Sequence, residues 1–168
     1  MTDEQFFRPS VTRILQSEEA VYGLILVSGM IVVSHSIVGT SINAFVTVVV
    51  TVIVFFAAHV YAGTLARLAA TDGAAGIVPS LRASVRHSLG MLLASIPPLV
   101  VLLLGATRIF DDEAAIWSAL IIDTVLLGVL GWFAVSRWTV RVWPRFASAL
   151  ITAAFGLILV ALKALIHH

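Results

Sequence analysis

Five long apolar runs divide this sequence, at 20–39, 42–65, 88–106, 114–135 and 146–166. A helix rises 1.5 Å per residue, so about 20 mostly apolar residues cross the hydrocarbon of a bilayer. Inside that layer the backbone must satisfy its own hydrogen bonds, and a helix does so within one segment. The runs therefore predict an all-α, polytopic membrane helix bundle with five transmembrane helices, in a single domain over 1–168. Composition agrees, since only 11% of the residues are charged and 60% are hydrophobic. A soluble domain averages about 25% charged residues, and so little charge leaves a surface that only lipid solvates. The third run contains Pro97 and Pro98, which should kink it.

The N-terminal 19 residues are mostly polar, and no small-x-small cleavage site follows the first run, which is therefore read as a permanent span. Ser17 is a candidate N-cap for it, with Glu18 and Glu19 suited to the positive end of the helix dipole. Upstream, Phe7, Val11, Ile14 and Leu15 recur at helical spacing. They suggest an interfacial helix over 6–16, with a frayed tail as the alternative.

Orientation follows from Lys and Arg. With the N-terminus in the cytoplasm, Arg8, Arg13, Arg67, Arg82, Arg86, Arg137, Arg141 and Arg145 face inward, while only Arg108 and Lys163 face outward. That arrangement needs an odd number of spans and places the C-terminus outside. The aromatic belt agrees, with Tyr22, Tyr61, Trp132, Trp138 and Trp143 near the inner interface and Trp117 near the outer one. The acidic loop Asp111, Asp112 and Glu113 faces outward and can cap the fourth span. The stretch 69–87 is the longest connection; within it Arg82 and Arg86 share a face if the segment is helical, and face anionic headgroups by default.

Small residues mark the seams where membrane helices pack. The second span offers Ala58, Ala62 and Ala66, the fourth Gly128 and Gly131, and the fifth Ala149, Ala153 and Gly156. These seams serve contacts within one chain or between chains. A homo-oligomer is expected only because small channels and transporters often complete their pathway by assembling.

Three ionisable side chains lie inside the spans: His35, His59 and Asp123. A charge at mid-bilayer costs on the order of 3 kcal/mol, so such groups face a protein interior or a water cavity. By helical rise, His59, Asp123 and His35 lie roughly 9, 18 and 23 Å from the cytoplasmic ends of their spans, with Glu19 at the inner mouth. Imidazole and carboxylate can exchange protons near neutral pH. Ser34, Ser36, Thr124 and Tyr61 could support water along that ladder. The expectation is a transport protein passing protons or small cations through Glu19, His59, Asp123 and His35. The alternative is a non-catalytic scaffold, or a lipid- or small-ligand-binding protein, whose polar residues fix helix packing.

Other chemistries fare worse. There is no cysteine, which removes disulfides, thiolate metal sites and cysteine catalysis. The histidines at 35 and 59 differ by roughly 14 Å in depth, too far for one haem, and a metal site on His35, Asp123 and His59 suffers similarly, although Asp123 and His35 differ by only about 5 Å and could share one ion. HExxH, GxSxG, P-loop and GxGxxG patterns are missing with their required context. No enzyme activity, cofactor or metal is therefore expected, and a net charge of +1 gives no case for a nucleic-acid partner. The terminal His167 and His168 read as the remnant of a purification tag.

The segments Glu19-Ala20-Val21-Tyr22-Gly23-Leu24-Ile25-Leu26 and Ala58-His59-Val60-Tyr61-Ala62 resemble small uncharacterised membrane proteins of actinobacteria. Those often carry a Glu-x-x-Tyr-Gly start and an Ala-His-x-Tyr-Ala segment in the next span. The resemblance covers two of the five runs. It implies a multi-pass protein of a bacterial inner membrane, draws attention to Glu19, Tyr22 and His59, and implies no activity.

Overall fold

The computed structural model describes residues 17–38, 40–109, 111–136 and 139–166, the side chains of 35–38 and 166 excepted. Five helices occupy them: α1 (Glu18–Val38), α2 (Ser41–Ala70), α3 (Ile77–Ala106), α4 (Asp112–Ser136) and α5 (Val142–Ile166). No strand occurs among the described residues. The expected interfacial helix at 6–16, Arg8, Arg13, Arg137, Trp138, His167 and His168, and the side chains of His35 and Ser36, lie outside the described residues.

Four helices have the length and composition to cross a membrane: Ser41–Ala70, Ile77–Ala106, Asp112–Ser136 and Val142–Leu165. Their outer faces present Ile53, Val54, Ile121, Val125, Leu150, Ile151 and Ile158, all exposed. A face like this marks a membrane-embedded bundle, because water would not tolerate it. The remaining helix, α1, touches all four others. Its Ala20, Leu24, Val27 and Ile31 are fully buried at helical spacing.

The third helix begins earlier than its apolar run. It starts at Ile77 rather than near residue 88, so Leu81, Arg82, Arg86 and His87 are helical. The connection from α2 shrinks to a tight turn in which Asp72 and Gly73 adopt φ of 47° and 80°, and Gly73 N–H donates to Leu68 O at 2.8 Å. Gly76, at φ 73°, then caps α3 in a conformation a side chain would strain. Pro79 is tolerated because first-turn N–H groups lack helical partners anyway. The helix also runs unbroken through Pro97 and Pro98. Apolarity marks where a helix enters lipid, whereas turn chemistry marks where it starts.

Ser17 needs a correction as a cap. Its carbonyl accepts from Ala20 N–H at 3.2 Å, but its hydroxyl has no hydrogen-bond partner among the described residues.

Close helix approaches set the geometry. A Cβ on Gly156 would stand 2.5 Å from Thr124 Oγ1, and one on Gly131 would collide with Thr152. So α4 and α5 meet backbone to side chain, with Ala153 opposite Gly128. Ala149 is half-buried on that side of α5, its carbonyl near Gly128. On α2, by contrast, Ala58, Ala62 and Ala66 are exposed, and the buried Val60 and Thr64, with Gly63 against Ser84, meet α3 instead.

Two apolar clusters fill the interior. One contains Val27, Ile31, Val48, Leu102, Ile116 and Leu120. The other contains Ala20, Leu24, Ala94, Leu127 and Leu130.

Candidate functional site

Buried polar side chains occupy three levels of the bundle. The richest is where α1, α2 and α3 meet. Glu19 lies in the first turn of α1 and is fully buried. Nε2 of His87, on α3, lies 2.5 Å from its Oε1, and Nε2 of His59, on α2, lies 3.8 Å from the same atom. Glu18 adds a second carboxylate that is exposed, and ligand-capable atoms of Glu18, Glu19 and His87 all fall within 4.8 Å of one another.

The sequence builds this meeting point one helical turn at a time. A Cβ on Gly23 would stand 2.9 Å from Met91 Cγ and 3.0 Å from Met91 Cα, so α1 and α3 nearly touch there. One turn back on each helix, four residues earlier, are Glu19 and His87. His59 is oriented from within its own helix, where Phe55 stacks on it at 6.3 Å between ring centroids. The position of Glu19 near the helix N-terminus also favours negative charge. Apart from these ion-pair contacts, neither Glu19 oxygen has a hydrogen-bond partner among the described residues.

The second level is Asp123 on α4. It is fully buried, and the Ser28 hydroxyl of α1 donates to its Oδ2. Its Oδ1 has no hydrogen-bond partner among the described residues. Thr124 turns away, its hydroxyl donating to Leu120 O at 2.9 Å. Along α1, Ser28 is nine residues from Glu19, which is roughly 14 Å of rise. Ala20 and Leu24, members of the second apolar cluster, lie in that interval.

The third level lies at the opposite end from Glu19. Asp112 Oδ1 accepts from the backbone N–H of Ser41 at 2.8 Å and from the Ser41 hydroxyl. A carboxylate of α4 thus caps α2 from across the bundle. Nearby, Lys163 of α5 is buried, with Nζ 3.7 Å from the centroid of the Trp117 ring.

Of the residues singled out by sequence, Glu19 and His59 come together. Asp123 stands apart from both and is held by Ser28. Ser34 is buried, while Tyr61 is exposed, as is Tyr22. Sequence reasoning passed over His87, Glu18 as a ligand, Ser28 and the burial of Lys163. By apolarity alone His87 falls in the connection after α2. The four-residue spacing of Ser80, Ser84 and Ser88, all buried, is the signal that α3 already runs through it. Arg82 and Arg86 do lie on one helix and line a shallow cleft of ≈ 260 Å³ with Val78, Pro79 and Ala83. A larger apolar groove of ≈ 550 Å³ runs between α2 and α3, along Phe56, Val60, Tyr61, Leu65 and Leu81.

Comparison with protein-family models, with curated proteins and with solved structures found no match.

Proposed function

We propose that this chain is a five-span transport protein of a bacterial inner membrane, of the small actinobacterial kind its first two spans resemble, passing protons or a small cation. Glu19, His59 and Asp123 carry the traffic, and α1 is the fifth span, packed against the other four. The carrying observation is Asp123, a fully buried carboxylate with one oxygen unpartnered among the described residues. Packing alone gives little reason to place such a group in an apolar bundle, given the cost of a charge there. Glu19 is its counterpart at one mouth, where two histidines from neighbouring helices approach it. Leu24, Leu127 and Leu130 close the interval between these levels and would act as the gate.

The test is flux into proteoliposomes under a proton or cation gradient. Wild-type protein should leak above empty liposomes, and Asp123→Asn should abolish the excess. Wild-type flux equal to that of empty liposomes overturns the reading.

A second reading is a scaffold whose polar pairs fix helix register. The Ser28–Asp123 and Ser41–Asp112 contacts favour it, since each ties two helices distant in sequence. Asp123→Asn would then shift melting in detergent with no flux in either form.

A further inference from the structure

We infer that Glu19, His87, Glu18 and His59 form a binding site for a divalent first-row transition-metal cation at the α1–α2–α3 junction. Three observations converge. The ligand-capable atoms of Glu18, Glu19 and His87 lie within 4.8 Å of one another. His59 Nε2 approaches the same Glu19 oxygen to 3.8 Å. The Glu19 side chain is 1% exposed, and it meets these imidazoles as ion-pair contacts at 2.5 and 3.8 Å, with no further hydrogen-bond partner for either oxygen among the described residues. Neutral imidazoles bring no counter-charge to a buried carboxylate, and a cation held by the carboxylate and both rings supplies it.

The donor set selects the class of ion. Imidazole nitrogen with carboxylate oxygen suits zinc, iron, manganese, cobalt or nickel, and no thiolate is present to favour a softer metal. With bonds of about 2.0–2.2 Å around one centre, Glu19 Oε1 and His87 Nε2, now 2.5 Å apart, would part to admit the ion while the other donors close on it. The site also has an entry side: His87 is 53% exposed and His59 33%, while Glu19 forms the floor. Three helices supply the donors, so a bound ion would clasp them together.

This inference goes beyond the transport reading and does not need it, because binding is measured in detergent with no gradient. The background is the full chain carrying His167→Ala and His168→Ala, purified without added histidines, so that terminal imidazoles contribute nothing. Calorimetric titration with Zn²⁺ should give stoichiometric binding, Co²⁺ should develop visible ligand-field bands, and Zn²⁺ should raise the melting temperature. His87→Ala and Glu19→Gln should each weaken Zn²⁺ binding by about tenfold or more, the scale on which losing a site residue acts. His87 has a half-exposed side chain, so its variant should fold even if Glu19→Gln does not. The inference is overturned if the background protein shows neither heat nor bands, or if His87→Ala binds Zn²⁺ as tightly as the background.

Discussion

Single side chains separate the structural role of the buried polar groups from a functional one. Ser28→Ala removes the hydroxyl that donates to Asp123 and leaves a buried carboxylate without that donor. Stability should fall by about 1–3 kcal/mol, read as a lower melting temperature in detergent. Replacing both partners, Ser28→Ala with Asp123→Leu, should recover most of the loss, because removing both halves of a buried polar pair can be nearly neutral. If transport runs through Asp123, that double variant is stable and carries no flux. Failure of the double variant to recover stability would show that the carboxylate holds more than Ser28. Lys163 gives a second case. Trp117→Leu takes away the ring face beneath a buried ammonium, at a cost of about 2 kcal/mol for a desolvated cation–π contact. Equal melting temperatures for Trp117→Leu and wild type would mean that the ring contributes nothing.

At the scale of elements, the α1–α3 contact is the one the Glu19 site depends on. Gly23→Leu would drive a side chain into the Met91 backbone, with Cα and O both 3.0 Å from the new Cβ. The helices must part, at about 1–3 kcal/mol for overpacking, and His87 should move away from Glu19. Gly29→Leu on the same helix meets nothing within 4 Å and should leave the melting temperature nearly unchanged. A drop as large for Gly29→Leu as for Gly23→Leu would refute the close-packing argument. The elements also show what the sequence made legible. Apolar run length located α2, α4 and α5, because burial in lipid needs little beyond about 20 apolar residues. It could not reveal that α3 starts at Ile77, since Gly76 and Pro79 set that start through backbone conformation. The site was half legible for the same reason. Glu19 and His59 stood out as ionisable groups in or beside apolar runs, whereas His87 looked like connection until α3 was extended through it. The Ser28–Asp123 pairing has no sequence signature, because it depends on how far two helices slide past each other.

Across the whole molecule, the membrane topology is the arrangement on which the transport reading rests. The helices alternate, so the 71–76 turn and the 139–141 connection lie at the Glu19 end, and the 107–111 connection lies at the Asp112 end. The Arg-rich segments are at the Glu19 end, where Arg67, Arg82, Arg86, Arg141 and Arg145 belong to the turn, connection and helix ends. In the proposed orientation, which follows the positive-inside rule, that end faces the cytoplasm. Arg145 also anchors it mechanically, donating to Thr139 O at 2.6 Å and to Ser136 O at 3.3 Å across the α4–α5 connection. The chain contains no cysteine, so single cysteines can be introduced without background. Ala74→Cys and Thr107→Cys place a thiol on exposed positions of connections at opposite ends. In intact cells an impermeant maleimide should label Thr107→Cys at once, and Ala74→Cys only after permeabilisation. Val140→Cys, at a position 89% exposed, should behave like Ala74→Cys. The reverse pattern would invert the protein and place Glu19, His59 and His87 outside, where a cation would meet them before it met Asp123. Labelling of both ends in intact cells would mean that the four apolar helices do not cross the bilayer together, and the bundle would lose its reading as a transmembrane path.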